Sequence, residues 1–255
     1  MQLQTLALSD ADIESLERAT LDAVAPPQVA ELDGWLLPMD SGSIGRAKSA
    51  VPMRHHGTLA AAVPQIIAHY QQHGLEPAFR VADLATLAEL HTVLHAQGLR
   101  PAQPTLVQVG SASAVLRVPH PQPAAVFGRA QTEWSAVYLA PGFDPVDGAH
   151  RIQVLSRSRS MVYAALACDA TPAAAGAAAL SHGWISIHGM RTVPHQRGRG
   201  LALRILQGLA RYGQAQGLER MFLQVEEDNA AALSLYQRVG FTSAWRYHYW
   251  RRPPL

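Results

Sequence analysis

Arg197-Gly198-Arg199-Gly200 is the stretch of this chain best suited to chemistry. Two glycines one residue apart let backbone N–H groups come close to an oxyanion. An apolar period follows, Leu201, Ile205 and Leu209 with Ala202, Leu206 and Ala210 beside them, and predicts a helix closed by Gly217. Ahead of the glycines, Ile185 to Val193 is rich in β-branched and apolar residues and stops at Pro194, which predicts a strand. Strand, glycine turn and helix in that order make an anion site, with partial positive charge at the helix N-terminus. The common nucleotide motifs do not supply the anion. No G-x-x-x-x-G-K-[ST] string occurs, and Gly198-x-Gly200-x-x ends on Leu203 where a dinucleotide fingerprint needs a third glycine.

Arg197 to Ala202 does fit [R/Q]-x-x-G-x-[G/A]. Downstream, Leu223-Gln224-Val225-Glu226-Glu227-Asp228-Asn229, then Ala232, Leu235-Tyr236 and Gly240-Phe241, follow in order. On these residues, over roughly the last 110 positions (a domain's length), the chain resembles the GNAT superfamily of acyl-CoA N-acyltransferases. The resemblance implies an α/β fold with a mixed sheet and two related lobes, acetyl-CoA as co-substrate and an amine as acceptor. The pyrophosphate of the cofactor would lie on the backbone amides of Gly198, Arg199, Gly200, Leu201, Ala202 and Leu203. The side chains of Arg197 and Arg199 either add attraction or are solvated loop charges.

Carried over by spacing, the oxyanion donor would be a backbone N–H within Met190-Arg191-Thr192, near a bulge that splays two parallel strands; Gly189 could ease that distortion. Tyr236, seven residues after Asn229, is the candidate general acid, since a phenol of pKa about 10 can donate to a thiolate of pKa near 8.5. It also lies on one helical stripe with Ala232, Leu235 and Val239, which suits an ordinary core aromatic. Asn229 is a helix cap, and the resemblance adds a cofactor contact. The base departs from the pattern: Ser186 and Gln224 stand where many members carry a carboxylate. His188 and Glu226, two residues along on the same faces, are the substitutes; a water relay or an acceptor of low pKa is the other route.

The elements that must position these groups come from the whole chain of 255 residues. Helices are expected over Ser9 to Ala23, Leu59 to Tyr70, Leu84 to Gln97 and Val146 to Ser156. Strands are expected around Asp33-Gly34, over Ile44 to Val51, Glu76 to Val81, Pro104 to Val109 and Ala114 to Val118, and Glu133 to Leu139 reads as a strand or the opening of a second lobe. Met161 to Cys168, Ala174 to Ala179 and Trp245 to Trp250 complete the set. Leu94 to Leu99 echoes Tyr236 to Phe241, with Leu94 where the later copy has Tyr236 and no glycine loop beside it. Asp33-Gly34-Trp35 and Gly45-Arg46-Ala47-Lys48-Ser49 are similar to the N-terminal portion of some two-lobed members. The expected organisation is a degenerate, non-catalytic lobe over 1–120, a Pro-rich linker over 119–130 and a catalytic acetyl-CoA-binding domain over 131–255.

Composition narrows the alternatives. With 48% hydrophobic and 16% charged residues, no apolar run of membrane-spanning length and no basic-then-apolar leader, a cytoplasmic chain is expected. One cysteine, Cys168, excludes an internal disulfide. Net charge is +2, yet residues 1–130 hold eight basic and eleven acidic side chains and residues 131–255 hold thirteen and eight. The basic half carries the candidate anion loop. His69/His73 and His91/His95 pair at helical spacing, but no carboxylate accompanies them, so no metal is expected. Ser156 to Ser160 and the aromatic–basic C-terminal strand read as a solvated loop and an edge strand, not as a nucleic-acid surface. The expected function is acetyl transfer from acetyl-CoA to an amine in a ternary complex. The alternative is a module that binds acyl-CoA without turnover.

Overall fold

In the computed structural model, which describes residues 8–119 and 122–253, helix α1 (Asp10–Val24) opens on a capping box. The Ser9 hydroxyl accepts from the Asp12 N–H, and the Asp12 carboxylate accepts from the Ser9 N–H. Strands β1 (Gln28–Leu32) and β2 (Trp35–Met39) form a hairpin about Asp33-Gly34, both at positive φ. The expected strand over Ile44 to Val51 is not there. Gly45–Ala47 is a 3-10 turn, and only β3 (Val51–Pro52) pairs with β2. Gly45 packs so closely on Tyr249 and Arg251 that a side chain would collide with both, which holds the segment as a turn.

Helix α2 (Val63–Gln72), β4 (Phe79–Ala82), α3 (Ala88–Ala96) and β5 (Arg100–Ser111) then alternate. Ala112–Arg117, expected to be a strand from Ala114, is helix α4; the Ser111 hydroxyl caps it, accepting from the Ala114 N–H at 3.2 Å. After β6 (Val126–Phe127) comes a second correction. Thr132–Tyr138 is helix α5, because Trp134, Val137 and Tyr138 lie at i, i+3 and i+4 and all three are fully buried. Helix α6 (Pro145–Leu155) is capped by Asp144. Then follow β7 (Met161–Cys168), β8 (Thr171–Ser181), β9 (Trp184–Thr192), α7 (Leu201–Ala215), β10 (Arg220–Glu226), α8 (Ala230–Arg238) and β11 (Thr242–Arg251). The remaining strands and helices fall where the pattern places them along the chain, including the alanine-rich β8, but the C-terminal strand expected at an edge is internal, because β4 and β5 pair with its two sides. The small residues of β8, buried from Ala173 to Ala179, let α7 and α5 approach the sheet from opposite faces.

β1–β3 make a small sheet, and the other eight strands make a large one in the order β4-β11-β5-β10-β9-β8-β7-β6. β9 and β10 run parallel; the other neighbours in this sheet are antiparallel. β5, from the first half of the chain, lies between β10 and β11 and pairs with each. The sheet is therefore continuous across residue 120. Of the Pro-rich segment, His120 and Pro121 lie outside the described residues. Beyond them the chain is tied to α7: the Ala124 N–H donates to the Arg204 carbonyl, and Arg204 Nε donates to the Gln122 carbonyl at 2.6 Å. Gly208 leaves room on α7 for the Ala124 backbone.

Leu201, Ile205, Leu206 and Leu209 of α7 and Tyr236 of α8 pack on Ile185, Ile187, Met221 and Leu223 on one face of the sheet. α1, α5 and α6 cover the other. Glu17 of α1 and Arg80 of β4, each 1% exposed, form a buried bidentate ion pair there, with the guanidinium 5.2 Å from the Tyr247 ring centre. No described helix is long and apolar enough to cross a membrane. Among the described residues no three metal-binding side chains cluster; His69 and His73 lie against each other, and His91 and His95 both pack on Trp250.

Candidate active site

β9 and β10 stay paired only as far as Ile187 and Leu223. Beyond that, β9 follows β8 to Thr192 while β10 follows β5 to Glu226, and a wedge opens between the two parallel strands. The cause is local. The register of β8 and β9 shifts between Ala175–Arg191 and Ala177–His188, so Gly189 and Met190 together face the single residue Gly176. Gly189 takes φ +59°, and a Cβ there would strike the Tyr138 hydroxyl and Leu155. Helix α5 fixes the distortion from above. The Tyr138 hydroxyl donates to the Gly189 carbonyl at 2.5 Å, and the Trp134 indole N–H donates to the Gly176 carbonyl at 3.0 Å.

At the mouth of the wedge, Gly198 and Gly200 both take positive φ, +77° and +73°. Gly200 is the N-cap of α7 and supplies no side chain, and the first turn holds no acid. The Arg204 N–H makes the first helical hydrogen bond, back to Gly200. The amides of Leu201, Ala202 and Leu203 thus form an uncapped donor cluster, reinforced by the helix dipole. A side chain on Gly198 would meet nothing within 4 Å, so the loop is open there. Arg199 is held by the Gln196 side-chain carbonyl, and Arg197 reaches the Thr192 carbonyl at 3.4 Å.

The other candidate residues fall around this wedge. Tyr236 lies on α8 with its ring 5.8 Å from that of Phe241; burial pushes its phenol up to about 12, and its hydroxyl makes no hydrogen bond among the described residues. Asn229 caps α8, accepting from the Ala232 N–H at 3.2 Å. The Arg191 side chain turns away to Asp147 and the rings of Tyr138 and Phe143, and Met190 packs toward α7 against Gly176. Glu226 ends β10 in an exposed position and accepts from Gln103 at 2.7 Å.

His188 is 4% exposed. Ser186 donates to the Ala179 carbonyl at 3.2 Å, so its oxygen accepts the His188 Nε2–H at 2.9 Å, and Nδ1 is left as a lone pair without a partner. Burial, with the Arg46 charge adding to it, pushes the imidazole down to about 3. Gln224 is fixed between Thr20 and Tyr247 at 3.0 and 2.9 Å. Ser186 and Gln224 are therefore each tied up in separate polar contacts, and neither carries a carboxylate to accept a proton. Sequence reasoning missed Trp134 and Tyr138, whose helical spacing was the available signal.

Two parallel strands splayed behind a glycine bulge, with an uncapped glycine-led helix at the opening, define the fold of the GNAT N-acetyltransferases. The family model described as probable histone acetyltransferase Rv0428c, C-terminal, matches residues 10–250, and the chain belongs to that family. Among curated relatives it is 37% identical over 106 residues to an L-methionine sulfoximine/L-methionine sulfone acetyltransferase of Pseudomonas aeruginosa, covering 38% of this chain and 61% of the relative. It is 33% identical over 76 residues to the uncharacterized N-acetyltransferase YobR of Bacillus subtilis, covering 30% of this chain and 31% of the relative. The matches thus span under two thirds of either relative. A GCN5-related N-acetyltransferase from Kribbella flavida shares the fold with TM-score 0.66 at 15% identity, over 95% of this chain and 96% of that one. A tandem GNAT protein from the clavulanic acid biosynthesis pathway does so with TM-score 0.60 at 14% identity, over the whole of both.

Proposed function

We propose that this protein transfers an acetyl group from acetyl-CoA to an amine by direct attack within a ternary complex. The observation that carries the proposal is the wedge between β9 and β10, pinned open by α5 and faced at its mouth by the free amides of α7. Donors of that kind each contribute roughly 1.5–3 kcal/mol to a charged partner, so several together suffice to hold a diphosphate. A backbone N–H in Met190–Thr192, held by the bulge, takes the negative charge that builds on the thioester oxygen as the amine nitrogen bonds to the carbonyl carbon. A preorganised donor there is worth about 3 kcal/mol of barrier. Collapse breaks the C–S bond, and the thiolate takes the Tyr236 proton; burial keeps that phenol protonated through the physiological range.

The acceptor ammonium must lose a proton before its nitrogen can attack, and that proton needs an acceptor. His188, pushed down to about 3, is a poor match for an amine of pKa about 10.4. We assign its departure to water, with Glu226, exposed at the solvent end of β10, the candidate carboxylate. The tied Ser186 and Gln224 are the one observation that favours a second reading, a module that holds acyl-CoA without turnover. Calorimetry with coenzyme A and thiol release from acetyl-CoA over an amine panel decide between them. Heat with turnover supports the enzyme, heat without turnover the module, and no heat with well-folded protein at millimolar coenzyme A ends both.

A further inference from the structure

Past Ile187 the pairing of β9 with β10 ends, and the backbone of β9 is held to the sheet through the bulged ladder to β8. A bulge disrupts local pairing, so the aim of the Met190–Thr192 amides depends on further anchors. Arg191 supplies them. Its Nη2 donates to the Asp147 carboxylate in the first turn of α6, and its Nη1 donates to the Tyr138 carbonyl at the end of α5 at 3.4 Å. The guanidinium carbon lies 4.6 Å from the Phe143 ring centre and 5.3 Å from that of Tyr138. Only 15% of the side chain is exposed.

Tyr138 therefore meets β9 twice. Its hydroxyl donates to the Gly189 carbonyl, and its own carbonyl accepts from Arg191. The residues on either side of Met190 are thus tied to one residue of α5. Asp147 is itself fixed: its N–H donates to Asp144 at 3.1 Å, and its carboxylate also accepts from Arg151 Nε at 2.8 Å. The loop between α5 and α6 is seated on the far end of β9 as well, where a Cβ on Gly142 would come within 2.9 Å of Pro194. A partly exposed ion pair adds little net stability, because desolvation offsets the attraction. What the planar fork adds is direction. We propose that Arg191 is a positioning residue for acyl transfer, its side chain clamping β9 to α5 and α6 so that a Met190–Thr192 amide is aimed at the thioester oxygen. The inference rests on the acyl-transfer reading and adds a side chain that acts through the backbone donor.

The test is Arg191→Met, which keeps much of the side chain's length against the two rings and leaves Asp147 its partner Arg151. It should lower kcat by roughly ten- to a hundredfold, part of the 10²–10³ that loss of an oxyanion donor costs, with KM for acetyl-CoA unchanged. Arg191→Lys keeps the charge, loses the fork and should recover part of the rate. Arg151→Gln removes a contact to the same carboxylate without touching β9; it should match Arg191→Met in urea unfolding and keep kcat. A second readout needs no turnover. The resonance of acetyl-CoA labelled with ¹³C at the acetyl carbonyl should move downfield on binding wild type, as a hydrogen bond polarises the C=O, and move less on binding Arg191→Met. Full kcat or an undiminished displacement in Arg191→Met overturns the proposal, as does an equal loss of kcat in Arg151→Gln. If acetyl-CoA binds but no amine turns over, the acyl-transfer reading fails on its own. The displacement then decides the clamp: smaller in Arg191→Met, it stands; equal in the two proteins or absent from wild type, it falls. No binding of acetyl-CoA ends both.

Discussion

Tyr236 and Tyr138 are both buried phenols, raised by loss of solvent, yet they have different work. Tyr138 spends its proton on the Gly189 carbonyl, whereas Tyr236 has no partner among the described residues. Tyr236→Phe should therefore cut kcat by about 10²–10⁴-fold, the usual weight of general acid catalysis, and leave coenzyme A binding unchanged. An unaltered kcat would remove Tyr236 from the mechanism. Tyr138→Phe frees the Gly189 carbonyl without emptying the core. It should lower kcat while the unfolding free energy falls only by the loss of one hydrogen bond, about 1 kcal/mol; equal losses in rate and stability would make Tyr138 purely structural. Tyr236 was legible in the sequence because it sits at a fixed distance from Asn229 in a recognisable string. Tyr138 was not, because its role is a contact 51 residues away along the chain.

At the level of elements, the anion loop and helix α7 were legible because their determinants are local: two glycines followed by an apolar period. Gly198→Ala tests the loop. The added methyl meets no protein atom but forces a left-handed backbone on alanine and crowds the site. Coenzyme A affinity should drop at least tenfold in a titration, with the fold intact by circular dichroism; full affinity would place the diphosphate elsewhere. Glu133 to Leu139 reads from sequence as a strand or the opening of a second lobe because the segment is rich in β-branched and aromatic side chains, and tertiary burial of Trp134 and Tyr138 makes it helix α5. Ile44 to Val51 was misjudged for a similar reason, since β11 supplies the constraint that bends Gly45.

Taken whole, the molecule buries charge and polarity beneath helix α1, and its stability should show it. Removing one partner of the buried Glu17–Arg80 pair, as in Glu17→Gln, should cost about 3–5 kcal/mol in urea unfolding. A loss under 1 kcal/mol would mean that the pair is solvated in solution. His188 gives a pH dependence of definite sign. It is held neutral in the fold, near 3, against an ordinary value of 6.5, so the unfolded chain binds its proton first as pH falls. Its contribution is complete above pH 6.5 and is lost progressively toward pH 3, by about 1.36 kcal/mol per pH unit. His188→Gln should flatten the unfolding curve across that interval and not above it; parallel curves for the two proteins would contradict the assignment. Sequence could supply neither partner for Arg80 nor the burial of His188, because both depend on α1 lying over β9.

The placement of β5 carries a last consequence, for how the chain is made. Arg100–Ser111 leaves the ribosome with both of its hydrogen-bonding edges bare, and its neighbours, β10 and β11, are translated only after residue 219. Until then nascent chains present a long two-sided template for cross-chain pairing. Overproduction should accordingly reward slow translation and cool growth.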